Sequence, residues 1–328
     1  MIDKIKYYIT DCKDPYENLA TELYLTETAG EGECILFLWQ NSNTIVIGRN
    51  QNAWQECRIS AFEEDGGHLT RRLSGGGAVF HDDGNLNFTF CMRSGNYDLR
   101  KQQAVIVEAC RLLGIPAEIS GRNDLLTGGR KFSGNSFYSH EGHSFHNGTL
   151  LLNADMNRLG KYLSPSRAKL SSKGVASVRS RVVNLCELKP ELTVNAMELA
   201  MISAFESVYG LTATECRRDD FDRDRLDALR AFFSSWDWIY GKNVPFTSSF
   251  SERFAWGEVT MEFFVENGAV RDAAIWTDAL DADFPAELAE SFKGCRMLTA
   301  ELCEKVCAID ERQEVKDDLI SLLRAQDQ

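Results

Sequence analysis

The spacing of apolar and polar residues along the chain predicts a mixture of strands and helices. Residues 86–91 alternate like a strand with one buried face, whereas other short apolar runs are typical of fully buried strands. Longer segments carry apolar residues on one helical face and have Asp or Thr caps at the start or glycine at the end. The predicted strands are 34–39, 44–47, 86–91 and 145–152, and the predicted helices are 15–28, 102–113 and 193–209.

A change of pattern near residue 242 predicts a boundary between two domains. The polar, turn-rich segment 241–254 is followed by two strand-like runs that flank Asn267-Gly268, a pair that suits a type I′ hairpin turn. Elsewhere strands and helices do not alternate in regular βαβ order. We therefore expect an α+β fold with mixed or antiparallel sheets, divided into a larger domain at 1–246 and a small α+β domain at 247–328.

Composition narrows the class of protein. Of the 328 residues, 44% are hydrophobic and 26% are charged, which is usual for a globular protein. No apolar run approaches the roughly 20 residues of a membrane helix, and the first residues lack the apolar core of a signal peptide. The ten cysteines are scattered, form no Cys-x-x-Cys pair, and are expected to be reduced. These features predict a cytoplasmic protein that does not bind a membrane.

The charge of the chain is acidic overall but uneven. A net charge of −13 argues against non-specific binding of nucleic acid. Segment 158–181, however, holds seven Lys or Arg residues and no Asp or Glu. Such a run would suit a local anion such as a phosphate, although a solvated loop or helix face is the commoner reason for it.

Three consecutive glycines, Gly75 to Gly77, stand between two arginines and a β-prone run in RRLSGGGAVFHDD. The chain has neither a Walker A phosphate loop nor a Gly-x-Gly-x-x-Gly turn between a strand and a helix. Glycines between strands let main-chain N–H groups approach a ligand closely and form an anion site. We expect Arg71 and Arg72 at its rim and His81 just beyond it. A glycine bulge in a hairpin is the alternative.

A second cluster of charges, Arg122, Asp124, Arg130 and Lys131, falls within ten residues among glycines. A lysine ammonium is a compact charge that suits a phosphoryl or carboxylate oxygen. Asp124 is placed either to orient Lys131 or to help hold a metal ion. An ordinary surface position is the alternative for this lysine.

Three histidines, His140, His143 and His146, recur every three residues, a spacing that invites a zinc interpretation. Residues three apart face opposite sides of a strand, and Gly142 disfavours a helix that would align them. The sequence therefore disfavours a metal site at these histidines.

The chain resembles the lipoate–protein ligase A family in five segments that occur in matching order and spacing. These segments are RRLSGGGAVFHD, GRND, RKFSGN, GTLLLN and KGVASVRSRVVNL. The resemblance extends over nearly the whole chain and includes LFLW, VIGRNQNAW, SSWDW and RFAWGEV. Each segment alone is weak evidence, whereas the ordered set is specific.

The resemblance implies a fold and a reaction. The fold is the biotin/lipoate ligase catalytic domain, an α+β domain with a mixed sheet related to class II synthetases, followed by a small C-terminal domain. The reaction is activation of lipoate with ATP and Mg²⁺ to lipoyl-adenylate, with release of pyrophosphate. The lipoyl group then passes to a lysine of a lipoyl domain, in E2 subunits of 2-oxoacid dehydrogenases or in the glycine cleavage H protein. Neither an enzyme nucleophile nor a nucleic acid takes part.

The resemblance also implies roles by motif position. Lys131 matches a lysine that touches both lipoate and the adenylate, and Trp39 matches a residue at the far end of the lipoyl pocket. Nucleotide binding is implied for Arg72, Gly77, Ala78, Val79, Phe80 and Lys131, and lipoate binding for Lys131 and Trp39. Because the lipoyl chain is apolar and needs a dry slot, Leu19 and Phe145 are further candidates for lipoate binding, together with Ser74, Gly75 and Gly76 of the glycine run. Asp124 and His81 are expected to support the site, and Asp124 to bind Mg²⁺. Leu19, Trp39 and Phe145 are also compatible with plain core positions. Asn147 stands where the family often has a histidine, so that a proton-carrying role at this position is in doubt.

Two alternatives to a ligase remain. An ATP-independent octanoyl or lipoyl acyltransferase would need a cysteine nucleophile shortly before GVASV, and residues 164–173 contain none; Cys186 is nearby but misplaced. A non-catalytic lipoate-binding module would not need the charges that this chain retains in Arg72, Asp124 and Lys131. Lipoate-dependent exchange between ATP and pyrophosphate would distinguish the ligase from both.

Overall fold

A computed structural model describes residues 1–57, 59–121, 123–162, 182–240, 247–280 and 283–325. Arg122, most of the basic segment 158–181 with the GVASV motif, and residues 241–246 at the predicted boundary lie outside the described residues. None of the helices in the described ranges combines the length and the apolar character needed to cross a membrane. The ten cysteines all lie within these ranges, and each is a free thiol.

The strands and helices are numbered along the chain. The strands are β1 (Lys4–Ile9), β2 (Glu33–Trp39), β3 (Thr44–Ile47), β4 (His68–Arg71), β5 (Val79–His81), β6 (Asn85–Arg93), β7 (Glu118–Ser120), β8 (Asp124–Thr127), β9 (Arg130–His140), β10 (His143–Leu151), β11 (Ala213–Glu215), β12 (Ser248–Arg253), β13 (Glu258–Glu266) and β14 (Ala269–Thr277). The helices are α1 (Pro15–Thr28), α2 (Ala53–Glu56), α3 (Ile59–Glu64), α4 (Leu99–Leu112), α5 (Met156–Tyr162), α6 (Val194–Tyr209), α7 (Arg223–Phe233), α8 (Trp236–Tyr240), α9 (Phe284–Phe292), α10 (Thr299–Ala308) and α11 (Gln313–Arg324).

An eight-stranded sheet forms the centre of the larger part of the molecule, with strand order β11-β1-β2-β6-β10-β9-β8-β7. β1 runs parallel to both β11 and β2, whereas the remaining neighbours in this sheet are antiparallel. The sheet is therefore mixed, and the predicted α+β class is confirmed.

Helices cover both faces of this sheet, and the residues of the central strands β2 and β6 are buried on both sides. On β6, Leu86, Phe88 and Phe90 face one core together with residues of α4 and α6. Cys91 of the same strand faces the opposite core, where β2 meets α1 and α7. Alternate residues of a strand point to opposite faces, so a single strand contributes to two hydrophobic layers.

The predicted ends of α1 and α6 are confirmed. The Asp14 side chain accepts hydrogen bonds from Tyr16 N and Glu17 N at the start of α1, and the Thr193 hydroxyl accepts one from Ala196 N at the start of α6. Gly210, with φ of 68°, ends α6 in the left-handed conformation that glycine adopts without strain. Helix α4 begins at Leu99, three residues before the predicted start, because Asp98 caps it.

A small sheet of order β4-β3-β5 lies beside the large one and positions the triple glycine. β4 runs parallel to β3 and β5 runs antiparallel to it. The segment 72–78 therefore connects two strands that flank the same central strand. This agrees with the expectation that the glycines lie between strands rather than before a helix.

The C-terminal part has its own sheet and core. Strands β12, β13 and β14 form an antiparallel sheet, and its apolar face packs against α9, α10 and α11. The turn at Asn267-Gly268 has φ of 52° and 75°, as the predicted type I′ hairpin requires. The C-terminal segment contacts the larger part directly, because Gly76 N donates to Ala279 O at 2.9 Å and Thr277 N donates to Asn50 O at 2.8 Å. The division at 246/247 remains a prediction.

Candidate functional site

The glycine turn is held in shape by one buried guanidinium. Arg72 is 7% exposed, and its Nη2 donates to Gly75 O at 2.7 Å and to Gly77 O at 2.9 Å. Its Nη1 donates to Val46 O at 3.2 Å on β3. Burial lowers the pKa of Arg72 to about 10, with the charge of Glu22 partly opposing the shift, so the group stays cationic at neutral pH. Arg72 therefore lies beneath the turn and not at its rim as expected, where it places a fixed positive charge next to the cavity.

Arg71 has a different role, and the expectation that it lies at the rim is wrong. The residue is 3% exposed. Its Nη1 donates to the carbonyls of Gly48, Arg49 and Gln51, and its Nη2 donates to Ile239 O. A guanidinium with its donors taken by main-chain carbonyls stabilises the packing of the chain and leaves little capacity for a ligand.

Lys131 is paired with Asp124 across the neighbouring strands β9 and β8. The Lys131 Nζ to Asp124 Oδ1 distance is 2.6 Å, and about one third of each side chain is exposed. A Cβ placed at Gly134 would lie 3.0 Å from Lys131 Nζ, so glycine at this position leaves room for the ammonium. The pair holds the ammonium in one place while leaving it accessible.

The glycine turn and Lys131 line one cavity of about 250 Å³. Arg72 lies at the same cavity, whereas Leu19 and Trp39 provide an apolar wall. Of the residues to which the sequence analysis gives a role, those that line this cavity are Leu19, Trp39, Arg72, Gly76, Gly77, Val79, Phe80, His81 and Lys131. One space therefore has fixed cations and an apolar surface.

Five residues with an expected nucleotide, lipoate or metal role stand away from the lining of this cavity. Ala78 belongs to the turn but is not part of the wall, and Asp124 reaches the cavity only through its pair with Lys131. Phe145 packs in the core behind the wall, with its ring centroid 5.1 Å from that of Tyr138.

Ser74 and Gly75 lie behind the turn. The Ser74 hydroxyl is 2.8 Å from that of Ser136, and Gly75 lines a second cavity of about 180 Å³. The sequence motif identified their neighbourhood but not the direction in which each residue faces.

A buried acid, Glu22, was not found from the sequence. Its Oε1 accepts hydrogen bonds from Thr89 Oγ1 at 2.7 Å and from Asn147 Nδ2 at 2.9 Å. Trp39 Nε1 donates to the same threonine at 3.1 Å. Burial raises the pKa of Glu22 to about 7, and the two hydrogen bonds and the Arg72 charge only partly oppose the shift. Glu22 is an acid among the apolar positions of α1. This position in the helix is the feature of the sequence from which its burial could have been predicted.

Asn147 thus has a defined partner in this chain. Its Nδ2 donates to Glu22, and its Oδ1 accepts from Ser136 Oγ at 2.6 Å. An amide can bridge the acid and the hydroxyl because it offers both a donor and an acceptor. Asn147 therefore links the apolar wall to the residues behind the glycine turn without carrying a proton.

The C-terminal segment completes the surroundings of the turn. Leu280 lines the main cavity, and a Cβ at Gly75 would lie 2.5 Å from both Ala279 O and Leu280 O. Gly76, with φ of 95°, donates its N–H to Ala279 O at 2.9 Å. The glycines thus allow a close approach of the C-terminal segment as well as a tight turn.

The three histidines do not converge. His146 is fully buried, with its Nε2 2.7 Å from Asn135 Oδ1, while His140 and His143 lie on either side of the β9–β10 turn. Among the described residues, no group of three or more His, Cys, Asp or Glu side chains is arranged to hold a metal ion.

Most of the chain is similar in sequence to known proteins. The family model "Lipoyl protein ligase A/B catalytic domain" matches residues 14–206, and "Bacterial lipoate protein ligase C-terminus" matches residues 243–323. A protein of Psychrobacter cryohalolentis named lipoate-protein ligase A is 41% identical over 296 residues, which are 88% of this chain and 87% of that protein.

Two solved structures are similar in fold. P. falciparum LipL1, in complex with lipoate, gives a TM-score of 0.84 at 27% identity and covers 97% of this chain and 98% of its own. A lipoate-protein ligase A bound with ATP gives a TM-score of 0.61 at 23% identity, covering 74% of this chain and 99% of its own. The family model that matches residues 14–206 and the relative that is 41% identical show that the chain belongs to the lipoate–protein ligase A family.

Proposed function

We propose that this ligase activates lipoate with ATP and transfers the lipoyl group to a lysine of a protein. The observation that carries the proposal is the main cavity, in which Arg72 and Lys131 lie beside the apolar wall formed by Leu19 and Trp39. The cations suit a carboxylate and phosphates, and the apolar wall suits the aliphatic tail of lipoate. Both substrates could therefore be held in the same space.

In the first step, a lipoate carboxylate oxygen attacks the α-phosphorus of ATP. A bond from this oxygen to phosphorus forms, and the bond from phosphorus to the bridging oxygen of pyrophosphate breaks. Two anions must approach each other, and fixed cations offset their repulsion at no reorganisation cost. Lys131 is well placed to contact both the carboxylate and the phosphate, while Arg72 adds its charge beneath the glycine turn.

Magnesium fits this site through Asp124. Protein sites for Mg²⁺ commonly supply only one or two carboxylates, and substrate phosphates and water complete the coordination. Asp124 has a second carboxylate oxygen beyond the one that is 2.6 Å from Lys131 Nζ. Bound there with ATP, the ion would neutralise phosphate charge as pyrophosphate leaves.

In the second step, the neutral amine of an acceptor lysine attacks the carbonyl carbon of lipoyl-adenylate. An amide bond forms, the bond from the carbonyl carbon to the phosphate oxygen breaks, AMP leaves with its electron pair, and the amine nitrogen gives up one proton to water. The resemblance suggests lipoyl domains of E2 subunits and of the glycine cleavage H protein as acceptors. A reducing compartment such as the cytoplasm suits both the ten free cysteines and this intracellular class of acceptor.

Exchange of labelled pyrophosphate into ATP tests the proposal. We expect exchange that depends on lipoate, because formation of the adenylate is reversible and releases pyrophosphate. Transfer of the lipoyl group from the isolated adenylate to a lipoyl domain should then proceed without ATP. An acyltransferase or a non-catalytic binding module would give no exchange, and that result would overturn the proposal.

A further inference from the structure

The end of the main cavity beside Trp39 is not wholly apolar. His81 Nε2, Asn85 Oδ1 and Asn87 Nδ2 have no hydrogen-bond partner among the residues that the structure describes, and all three residues line this cavity. They are 4%, 0% and 2% exposed. Buried polar groups are nearly always paired, and each unpaired one carries a free-energy cost. We therefore expect the ligand at this end of the cavity to offer these atoms a partner.

Strand β6 and Trp39 bring the three side chains together. Asn85 and Asn87 are two residues apart on β6 and share one face of the strand. Trp39 lies directly opposite Asn87 in the β2–β6 pairing, and its ring centroid is 6.3 Å from that of His81. Because Trp39 Nε1 already donates to Thr89 Oγ1, the indole offers a ligand its ring and not its N–H group.

The hydrogen-bond role of His81 is fixed by its neighbours. Asn18 Nδ2 donates to Asn41 Oδ1 at 3.0 Å and also to two main-chain carbonyls, which identifies it as the amide nitrogen. Asn41 must therefore use its Nδ2 toward His81 Nδ1, 3.3 Å away. Burial, together with the nearby charge of Arg72, lowers the pKa of His81 to about 3, so the ring is neutral. The single ring proton consequently lies on Nε2, which is a donor.

The two asparagines supply a second donor. Asn85 Nδ2 donates to Asn87 Oδ1 at 3.0 Å, which leaves Asn87 Nδ2 as a donor and Asn85 Oδ1 as an acceptor. If both amides are turned over, the two residues exchange roles, and one N–H group and one carbonyl still remain. With His81, this end of the cavity therefore presents two N–H groups to a ligand.

The cations of the cavity determine which end of the acid meets these donors. Under the proposed function, the carboxylate lies at Lys131, and the acid extends along the apolar wall of Leu19 and Trp39. The resemblance likewise assigns Trp39 to the far end of the lipoyl pocket. Lipoate ends in a five-membered ring with two adjacent sulfur atoms. This ring therefore lies beside Trp39 and the two donors.

A sulfur atom can pair with these donors, whereas a methylene group cannot. Divalent sulfur is a weak hydrogen-bond acceptor, and it makes favourable contacts with aromatic rings such as that of Trp39. A hydrocarbon at the same place would leave both N–H groups unpaired. We propose that His81 Nε2 and Asn87 Nδ2 donate to the ring sulfurs and select lipoate over a saturated acid of the same shape. The inference rests on the proposed function, which sets the direction of the acid in the cavity.

A carbocyclic analogue tests the inference in the wild-type protein. 5-Cyclopentylpentanoate has the chain and the ring of lipoate, with methylene groups in place of both sulfurs. A purely hydrophobic pocket would bind it at least as well as lipoate. Titration calorimetry without ATP measures Kd for both acids. We expect Kd for the analogue to be at least about fivefold above that for lipoate, because its ring leaves buried donors unpaired. A smaller difference overturns the inference, as when water pairs with the donors beside either ring.

Two variants assign the selection to these donors. His81→Phe keeps a ring of similar size without the N–H, and Asn87→Leu keeps the branched shape without the amide. In each, Kd for lipoate should rise, while Kd for the analogue should stay the same or fall. The preference for lipoate should then decrease at least threefold. Ser133→Ala is the matched control: its Oγ is also unpaired at this cavity, among the described residues, but the residue is two positions from Lys131 on β9, and the preference should not change.

The outcomes separate this inference from the proposed function. If lipoate supports no exchange of pyrophosphate into ATP, the proposed function fails, and the calorimetric ratio still decides whether the donors select sulfur. If exchange occurs but the variants raise Kd for both acids alike, the donors hold the carboxylate, and the inference fails alone. A variant that does not fold, as shown by a lost thermal transition, leaves the wild-type comparison of the two acids as the deciding measurement.

Discussion

At the scale of single residues, Lys131 is the residue whose loss should most affect the first step. Its ammonium lies in the main cavity, 2.6 Å from Asp124, and about a third of its side chain is exposed. We expect Lys131→Ala to reduce adenylate formation by about 10² to 10³-fold, the usual effect of removing a group that stabilises transition-state charge. Pyrophosphate exchange measures the loss.

Arg130 provides the matched control for Lys131. It is the adjacent residue, carries the same charge, and pairs with Glu187 at 3.0 Å on the surface. We expect Arg130→Ala to retain nearly normal exchange and both variants to keep the thermal transition of the wild type. Near-normal exchange in Lys131→Ala would remove this lysine from the mechanism.

Glu22 should make stability depend on pH in an unusual direction. Its pKa rises from 4.5 to about 7 on burial, so the folded protein holds a proton that the unfolded chain has released between these values. The free energy of unfolding contributed by this group therefore decreases as pH rises from about 4.5 to about 7. At pH 8, Glu22 lowers the free energy of unfolding by about 3 kcal/mol relative to its contribution below pH 4.5, at roughly 1.4 kcal/mol per unit of pKa.

Replacement by glutamine tests the Glu22 effect. Glu22→Gln removes the titration, so its stability relative to the wild type should rise between pH 4.5 and pH 8, as measured by chemical denaturation. Glu31→Gln, at a side chain that is 90% exposed, is the control and should show no such trend. A constant difference between Glu22→Gln and the wild type across this range would contradict the assigned pKa shift.

The site could be predicted only where a residue belongs to a sequence motif. Arg72, Lys131 and Trp39 were placed by motifs, and all three line the main cavity. For Glu22 and Arg71, no motif indicates the burial or the hydrogen-bond partners of the side chain. Burial and hydrogen bonding decide their roles, and both depend on strands and helices distant in the chain: Arg71 bonds to Ile239, 168 residues away.

At the scale of elements, local signals were sufficient where a segment carries its own caps or turn. Asp14, Thr193 and Gly210 mark helix ends that the structure reproduces, and Asn267-Gly268 marks its hairpin. Strand β9 was missed although it has eleven residues. Its sequence is rich in Ser, Gly and Asn because it borders the cavity, and such residues are poor strand formers on their own. Pairing with β8 and β10 determines its conformation instead.

Asp14 should stabilise α1 in two ways that can be separated. Its Oδ1 accepts from Tyr16 N at 2.8 Å as the helix cap, and its Oδ2 accepts from Arg230 Nη2 at 2.6 Å on α7. We expect Asp14→Ala to lower the free energy of unfolding by about 1–2 kcal/mol. Arg230→Ala loses only the partly exposed ion pair and should cost less than about 1 kcal/mol. Equal losses in chemical denaturation would show that the cap contributes nothing.

At the scale of the whole molecule, the glycine turn joins the two parts of the chain. The triple glycine predicts an anion site, because glycines between strands let main-chain N–H groups approach a ligand closely. The structure adds the contact of Gly75 and Gly76 with residues 279 and 280, more than two hundred residues later. No local pattern signals a contact of this separation. Gly76 thus lines the main cavity and also contacts the C-terminal segment through its N–H group.

A methyl group at Gly75 should therefore weaken the contact between these parts. Its Cβ would lie 2.5 Å from Ala279 O and Leu280 O, which are main-chain atoms that cannot move aside cheaply. We expect Gly75→Ala to lower the free energy of unfolding by about 1–3 kcal/mol, the usual cost of overpacking. Gly95→Ala is the control, because a Cβ at Gly95 meets no atom within 4 Å. Both substitutions reduce the entropy of the unfolded chain alike, so the difference between them in chemical denaturation isolates the contact. If the two variants are equally stable, the C-terminal segment does not rest against the glycine turn in solution.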